Sequence, residues 1–199
     1  MSTVLLPLHY QNEVLHERGN IKVGVAEGSD SRSRVRVKGA AMLAAARRDG
    51  IAIVHVRIAF AAGHTDVIQN CKIFRDVVAN NSMVDGSWGA EFHEGLGPVQ
   101  GETVIRHNRV NAFYGTNLEE TLRALNAEQL VIAGVSTNSV VETTVRHAAD
   151  AGYEVAVVAD ACSAGRDELH HASLENMKYI ADVMTLDELL ARAWRLGQM

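Results

Sequence analysis

Cysteine is scarce: Cys71 and Cys162 are the two in 199 residues, far apart and in neither a CxxC pair nor a zinc-type spacing. This excludes a disulfide framework and a thiolate metal site, and reads as two free thiols in a reducing, cytoplasmic setting. Long apolar runs are also missing, so no membrane-spanning helix is expected. The start, "MSTVLLPLHYQNE", lacks the basic leader and small-residue cleavage pattern of a signal peptide. Charge of one sign is not concentrated. A net charge of -5 with interspersed signs leaves no basic stripe for nucleic acid and no polybasic segment for a membrane surface. The expected partner is a small molecule. Several chemical signatures are absent as well: no GxGxxG after the first apolar run, no GxxxxGK, no GxSxG and no HExxH.

What is present is an alternation of short apolar runs and helical segments. A chain of this length, 47% hydrophobic, builds a substantial core, and residues 1–199 read as a single domain without repeat, linker or low-complexity tract. "TVLLPL" (3–8), "IAIVHVRI" (51–58), "ETVIRH" (102–107), "QLVIAGV" (129–135), "YEVAVVADA" (153–161) and a short "DVMT" (182–185) read as strands. Helices are expected at 31–50, where Arg47 and Arg48 suit the C-terminus and Gly50 the stop, at 117–126, after "TNS" (137–139), around 168–180 and at 186–194. Continuously apolar strands separated by helices imply an α/β fold: a doubly wound, mostly parallel central sheet with helices on both faces, a Rossmann-like three-layer arrangement. Ligands then bind at the carboxyl ends of the strands. Residues 61–101 carry many turn signals and read as a long irregular loop, a binding loop or lid. Pro7 lies inside the first strand, so that strand is either bulged there or incompletely paired.

Strand one delivers His9, Gln11 and Asn12 to the carboxyl edge. Strand two leads to Phe60, strand three to His107, Arg109 and Asn111, strand four to Ser136, Thr137, Asn138 and Ser139, and strand five to Asp160. A histidine at a strand end is often only a hydrogen-bonded structural residue. Two converging from different strands can instead work as acid and base near neutral pH, since the unperturbed imidazole pKa is about 6.5. A metal held by His9 and His107 is a third reading, but no carboxylate or cysteine is clearly placed to complete the coordination; neither metal nor cofactor is expected. Ser139, three residues before Glu142, has the spacing of a capping box, which competes with a nucleophilic role. A helix start there directs amide donors toward a carboxylate or an oxyanion. Asp160 reads as a hydrogen-bonding partner of its neighbouring loop, and Trp88 as a packed aromatic in the long loop or a wall over the pocket.

The blocks "NAFYGTNLE" (111–119) and "GVSTNSVVETTVRHAADAGYEV" (134–155), with "LLPLHYQNEVL" (5–15) and "GSWGAEFHEGLGP" (86–98), resemble the isochorismatase-like hydrolases, the cysteine hydrolase superfamily, over nearly the whole chain. The resemblance implies that fold, hydrolytic activity, assembly as a homodimer or homotetramer, and a non-proline cis peptide at Val135–Ser136. It also implies a catalytic aspartate, lysine and cysteine. Their motif positions hold His9, His107 and Val140. Val140 cannot form a thioester, so the covalent amidase route is closed, and the aspartate-histidine metal motif of nicotinamidases is not matched. Cysteine-free members of the superfamily, the isochorismatases proper, protonate and hydrate a vinyl ether. The expectation is therefore a cysteine-independent hydrolase acting on a carbonyl, carboxylate-bearing or vinyl-ether substrate, with His9 and His107 catalytic. Gln11, Asn12, Phe60, Trp88, Arg109, Asn111, Phe113, Val135, Ser136, Thr137, Ser139 and Val140 would surround the substrate. The alternative is an inactive member that binds a metabolite or a partner subunit.

Overall fold

The computed structural model of the protein describes residues 2–196. Its strands are β1 (Thr3–Leu8), β2 (Ala52–Ile58), β3 (Thr103–His107), β4 (Gln129–Gly134), β5 (Glu154–Val158) and β6 (Asp182–Met184). They form one sheet in the order β3-β2-β1-β4-β5-β6, parallel throughout. Every residue of β4 is buried. Since successive side chains of a strand point to opposite faces, the centre of the sheet is covered on both sides. The covering helices are α1 (Asn12–Leu15), α2 (Ser31–Arg48), α3 (Lys72–Ala79), α4 (Leu118–Ala124), α5 (Glu142–Asp150), α6 (Asp167–Met177) and α7 (Leu186–Ala191). Among the described residues, no helix is long and apolar enough to cross a membrane.

The strand order reverses between β1 and β4, which places a crevice at their carboxyl ends. The two backbones approach closely there. At Gly134, with φ +155, an added Cβ would lie 2.3 Å from the Leu8 carbonyl oxygen, so a side chain is excluded. Pro7 pairs with Ala133 of β4, whereas pairing of β1 with β2 skips Leu6 and Pro7 and resumes at Leu8 opposite Val56 in the same register. The missing N–H thus interrupts a ladder without a bulge.

The reading of 61–101 as irregular is corrected by α3, an eight-residue helix that buries Phe74 and Val77, and by single turns at Ala62–His64 and Trp88–Ala90. The capping box expected at Ser139 and Glu142 does not form. Residues Thr137–Val141 make a wide turn whose N-cap is Ser136, so Ser139 lies inside the turn, out of reach of the amides a cap would serve. Glu142 instead accepts from Ser173 Oγ at 2.6 Å and pairs with Arg146 at 2.8 Å. Asp160 does tie its neighbours together, accepting from the Leu186 N–H at 2.8 Å and pairing with Lys38 at 3.0 Å.

Candidate active site

Two strand ends meet in one buried contact. β1 stops at Leu8, and His9 takes a left-handed backbone conformation, φ 57, its N–H donating to Val56 O at 2.9 Å. Such a conformation is uncommon outside glycine and is characteristic of functional turns. It brings the His9 ring against His107, the last residue of β3, across the intervening strand β2. The ring centroids are 4.7 Å apart and the two Nε2 atoms 2.5 Å apart. Both residues are buried.

The protons of this pair follow from its partners. His107 Nδ1 lies 3.3 Å from the Asn111 carbonyl oxygen. A carbonyl only accepts, so Nδ1 carries the His107 proton and Nε2 presents a lone pair. His9 Nε2 must then donate to His107 Nε2, which leaves the one acceptor lone pair of the His9 ring at Nδ1. That atom has no protein partner among the described residues and is not a sealed-off polar atom. Burial, and after it the neighbouring His107 ring, hold His9 well below the usual 6.5. Burial brings His107 down to about 4 against the opposing pull of the Asn111 carbonyl. Both rings are therefore neutral at pH 7.

His9 lines a cavity of about 50 Å³ with a mostly aliphatic wall. Val135 and Val140 contribute from the switch-point turn, Ile73, Phe74 and Val77 from α3, and Ile21 and Val23 from the segment before α2. Ser136, Ser139 and Arg109 are its other polar residues. The Val135–Ser136 peptide is cis. The Ser136 N–H makes no hydrogen bond among the described residues, whereas those of Thr137, Ser139 and Val141 are spent on Ser163 and Ser136 oxygens. The turn thus offers a reduced set of donors.

Several residues expected around the substrate lie elsewhere, the polar ones held by backbone or side-chain partners within the protein. Gln11 is fully buried, donating to Ile58 O at 2.9 Å and Ala90 O at 2.7 Å and accepting from Ile58 N–H at 2.9 Å. Asn12 donates to Trp88 O at 2.9 Å. Thr137 is bonded to His170 at 2.8 Å. The Asn111 side chain reaches His147 Nδ1 at 3.3 Å, and Phe113 stacks on the His147 ring at 4.3 Å. Phe60 belongs to the core, edge-on to Phe74. Trp88 is 43% exposed, with the Arg18 guanidinium over its ring, on a separate surface depression. Of the expected substrate shell, Arg109, Val135, Ser136, Ser139 and Val140 line the cavity. Val135 and Val140 of the aliphatic wall were thus expected, whereas Ile73, Phe74 and Val77 were not; the apolar periodicity of α3 was their sequence signal.

No group of three or more His, Cys, Asp or Glu residues suited to a metal occurs among the described residues. The His9–His107 contact is a direct hydrogen bond. Two nitrogens that each bind a zinc at about 2.0–2.1 Å in tetrahedral geometry would stand about 3.3 Å apart.

A profile of the isochorismatase domain matches residues 3–188. The chain belongs to the isochorismatase family. It is 30% identical over 145 residues to the uncharacterized isochorismatase family protein YecD of Escherichia coli, covering 72% of this chain and 75% of that protein. It is 35% identical over 122 residues to ureidoacrylate amidohydrolase RutB of Methylobacterium radiotolerans, covering 58% of this chain and 47% of that enzyme. Among solved structures, an isochorismatase family protein from Desulfovibrio vulgaris matches with a TM-score of 0.86 at 27% identity, over 98% of this chain and 99% of that one. In this isochorismatase-family chain the cavity at the switch point is lined by His9, itself hydrogen-bonded to His107, and by the isopropyl group of Val140.

Proposed function

We propose that the protein is a hydrolase of a small amide or related acyl compound that uses water directly, with His9 as general base. The observation that carries this reading is the His9 ring, hydrogen-bonded through Nε2 to His107 at 2.5 Å with its Nδ1 uncommitted, on the wall of a mostly aliphatic cavity. In the proposed step, water attacks the substrate carbonyl carbon and gives a proton to His9 Nδ1. The resulting imidazolium is stabilised through Nε2–H by the His107 lone pair, which the Asn111 carbonyl holds in the accepting tautomer. Collapse of the tetrahedral adduct breaks the carbon–heteroatom bond, and the proton passes from His9 to the leaving group, so one water is consumed and no covalent enzyme intermediate forms. The Ser136 N–H is the candidate donor to the developing oxyanion. Protonation of a vinyl ether is the less favoured chemistry, because neither ring is an imidazolium at pH 7.

The test is ammonia release from a panel of small primary amides and ureides by the native chain, His9→Gln and Val140→Ala. The reading requires His9→Gln to lose about 10² to 10⁴ in kcat/KM, with turnover persisting in Val140→Ala, whose side chain supplies no reacting atom. Absence of turnover by native protein across the panel, or activity indifferent to His9→Gln, would overturn it in favour of an inactive binding member of the family.

A further inference from the structure

We infer that the substrate carries a carboxylate and that Arg109 is the residue that selects it; this rests on the proposed reading of the cavity as the catalytic site. Arg109 is the one charged side chain among the described residues that line the cavity besides the titratable His9. Among the described residues it has no carboxylate partner. Its Nη1 donates to Ile68 O at 3.2 Å and its Nη2 to Asn70 Oδ1 at 3.0 Å, both neutral acceptors, and its guanidinium lies 4.2 Å over the Phe74 ring. Two of its five donors are thereby used, and three stay uncommitted. The contacts hold the group in place before any ligand arrives, so little side-chain freedom is left to lose on binding.

The other uncommitted polar atoms of the cavity point the same way. Among the described residues, the Ser136 N–H, the Ser136 hydroxyl and the Ser139 hydroxyl have no protein acceptor, and His9 Nδ1 is an unpartnered side-chain acceptor. No carboxylate lines the wall to repel or neutralise an anion. A guanidinium beside an aliphatic, partly desolvated surface attracts an anion more strongly than one in open water. The complementary substrate is a monoanion: a carboxylate at Arg109, a short apolar body along Phe74 and Val140, and an uncharged carbonyl at His9 and Ser136.

Succinamate and its methyl ester differ in this charge and share the amide. The experiment is isothermal titration and ammonia release with both compounds, using native protein, Arg109→Lys and Arg109→Gln. The native chain is expected to bind the acid at least about tenfold more tightly than the ester, with a preference that weakens as salt rises. Arg109→Lys keeps part of the preference, and Arg109→Gln removes it, so that acid and ester bind that variant alike. Equal binding of acid and ester by native protein, a preference surviving in Arg109→Gln, or no binding of the acid at millimolar concentration would overturn the proposal. The comparison within native protein needs no variant, so loosening of the 68–74 segment cannot mimic the result. Charge-selective binding without ammonia release would leave the carboxylate site standing while removing the hydrolytic reading.

Discussion

Replacing His107 by Gln should flatten the acid sensitivity of the fold. Burial holds His107 at about 4 in the native chain, against about 6.5 when unfolded. Between these values the unfolded chain binds a proton that the folded chain refuses. The contribution to stability is therefore fully present above pH 6.5, falls as pH drops from 6.5 toward about 4, and is lost below. Each pH unit within that window costs up to about 1.4 kcal/mol, so the loss attributable to this ring is about 2 kcal/mol at pH 5 and about 3 kcal/mol once the window is crossed. Gln carries an N–H for the Asn111 carbonyl and an oxygen for His9 but does not titrate. Urea unfolding of both proteins at pH 7.5 and pH 5 supplies the four free energies, and their double difference isolates the His107 ring, together with its coupling to His9, from His55, His93 and His170, which are also held low by burial. A variant whose stability falls with pH as steeply as the native chain's would refute the inference that His107 is neutral in the folded state.

Activity should follow the same logic, with kcat/KM level from pH 8 down past 6.5 and an acid limb below the free-imidazole value; a limb centred near 6.5 in a pH-rate profile would count against His9 as the buried base. Val140→Cys is close to volume-conserving and should change stability by less than about 1.5 kcal/mol, while giving a thiol that iodoacetamide alkylates ahead of Cys162, whose own thiol burial pushes up to about 12. Equal labelling rates, read by mass spectrometry, would contradict the placement of that position on an accessible cavity. Gln11→Ala removes an amide that bridges Ile58 and Ala90 and should cost about 2–4 kcal/mol in denaturant unfolding. Gly134→Ala forces a Cβ against the Leu8 carbonyl and should lower the thermal midpoint by several degrees; an unchanged midpoint would show that β1 and β4 separate at little cost.

The sheet was legible because buried parallel strands are written as apolar runs, and "LVIAG" needs no tertiary information to be read as one. The convergence of His9 and His107 has a related reason: His9 directly follows such a run, His107 ends β3, and the carboxyl edge of a parallel sheet gathers what its strands deliver. The same rule misled for Gln11, Asn12, Thr137 and Asn111. Polarity at a strand end does not say whether the group faces a ligand or a backbone amide, and in each case a protein partner occupies it. Ser139 and Glu142 have the spacing of a cap, but spacing presumes an ordinary first turn, and the wide turn over Thr137–Val141 shifts the register. Helix α3 is short and has no side-chain cap, so Phe74 and Val77 were hidden in a stretch dominated by turn residues, and with them the cavity wall. The tautomer of the pair depends on a carbonyl four residues beyond His107, a contact that only the folded loop creates.

His9 and His107 form a neutral imidazole pair, with one proton between the Nε2 atoms and a free lone pair on His9 Nδ1. Long-range ¹H–¹⁵N correlation of histidine-labelled protein at pH 7, assigned with His9→Gln and His107→Gln, measures this without knowledge of the substrate. The expected spectrum has a proton on Nδ1 of His107, a proton on Nε2 of His9, and neither ring charged. An imidazolium at either position, or His107 protonated on Nε2 in place of Nδ1, would contradict it.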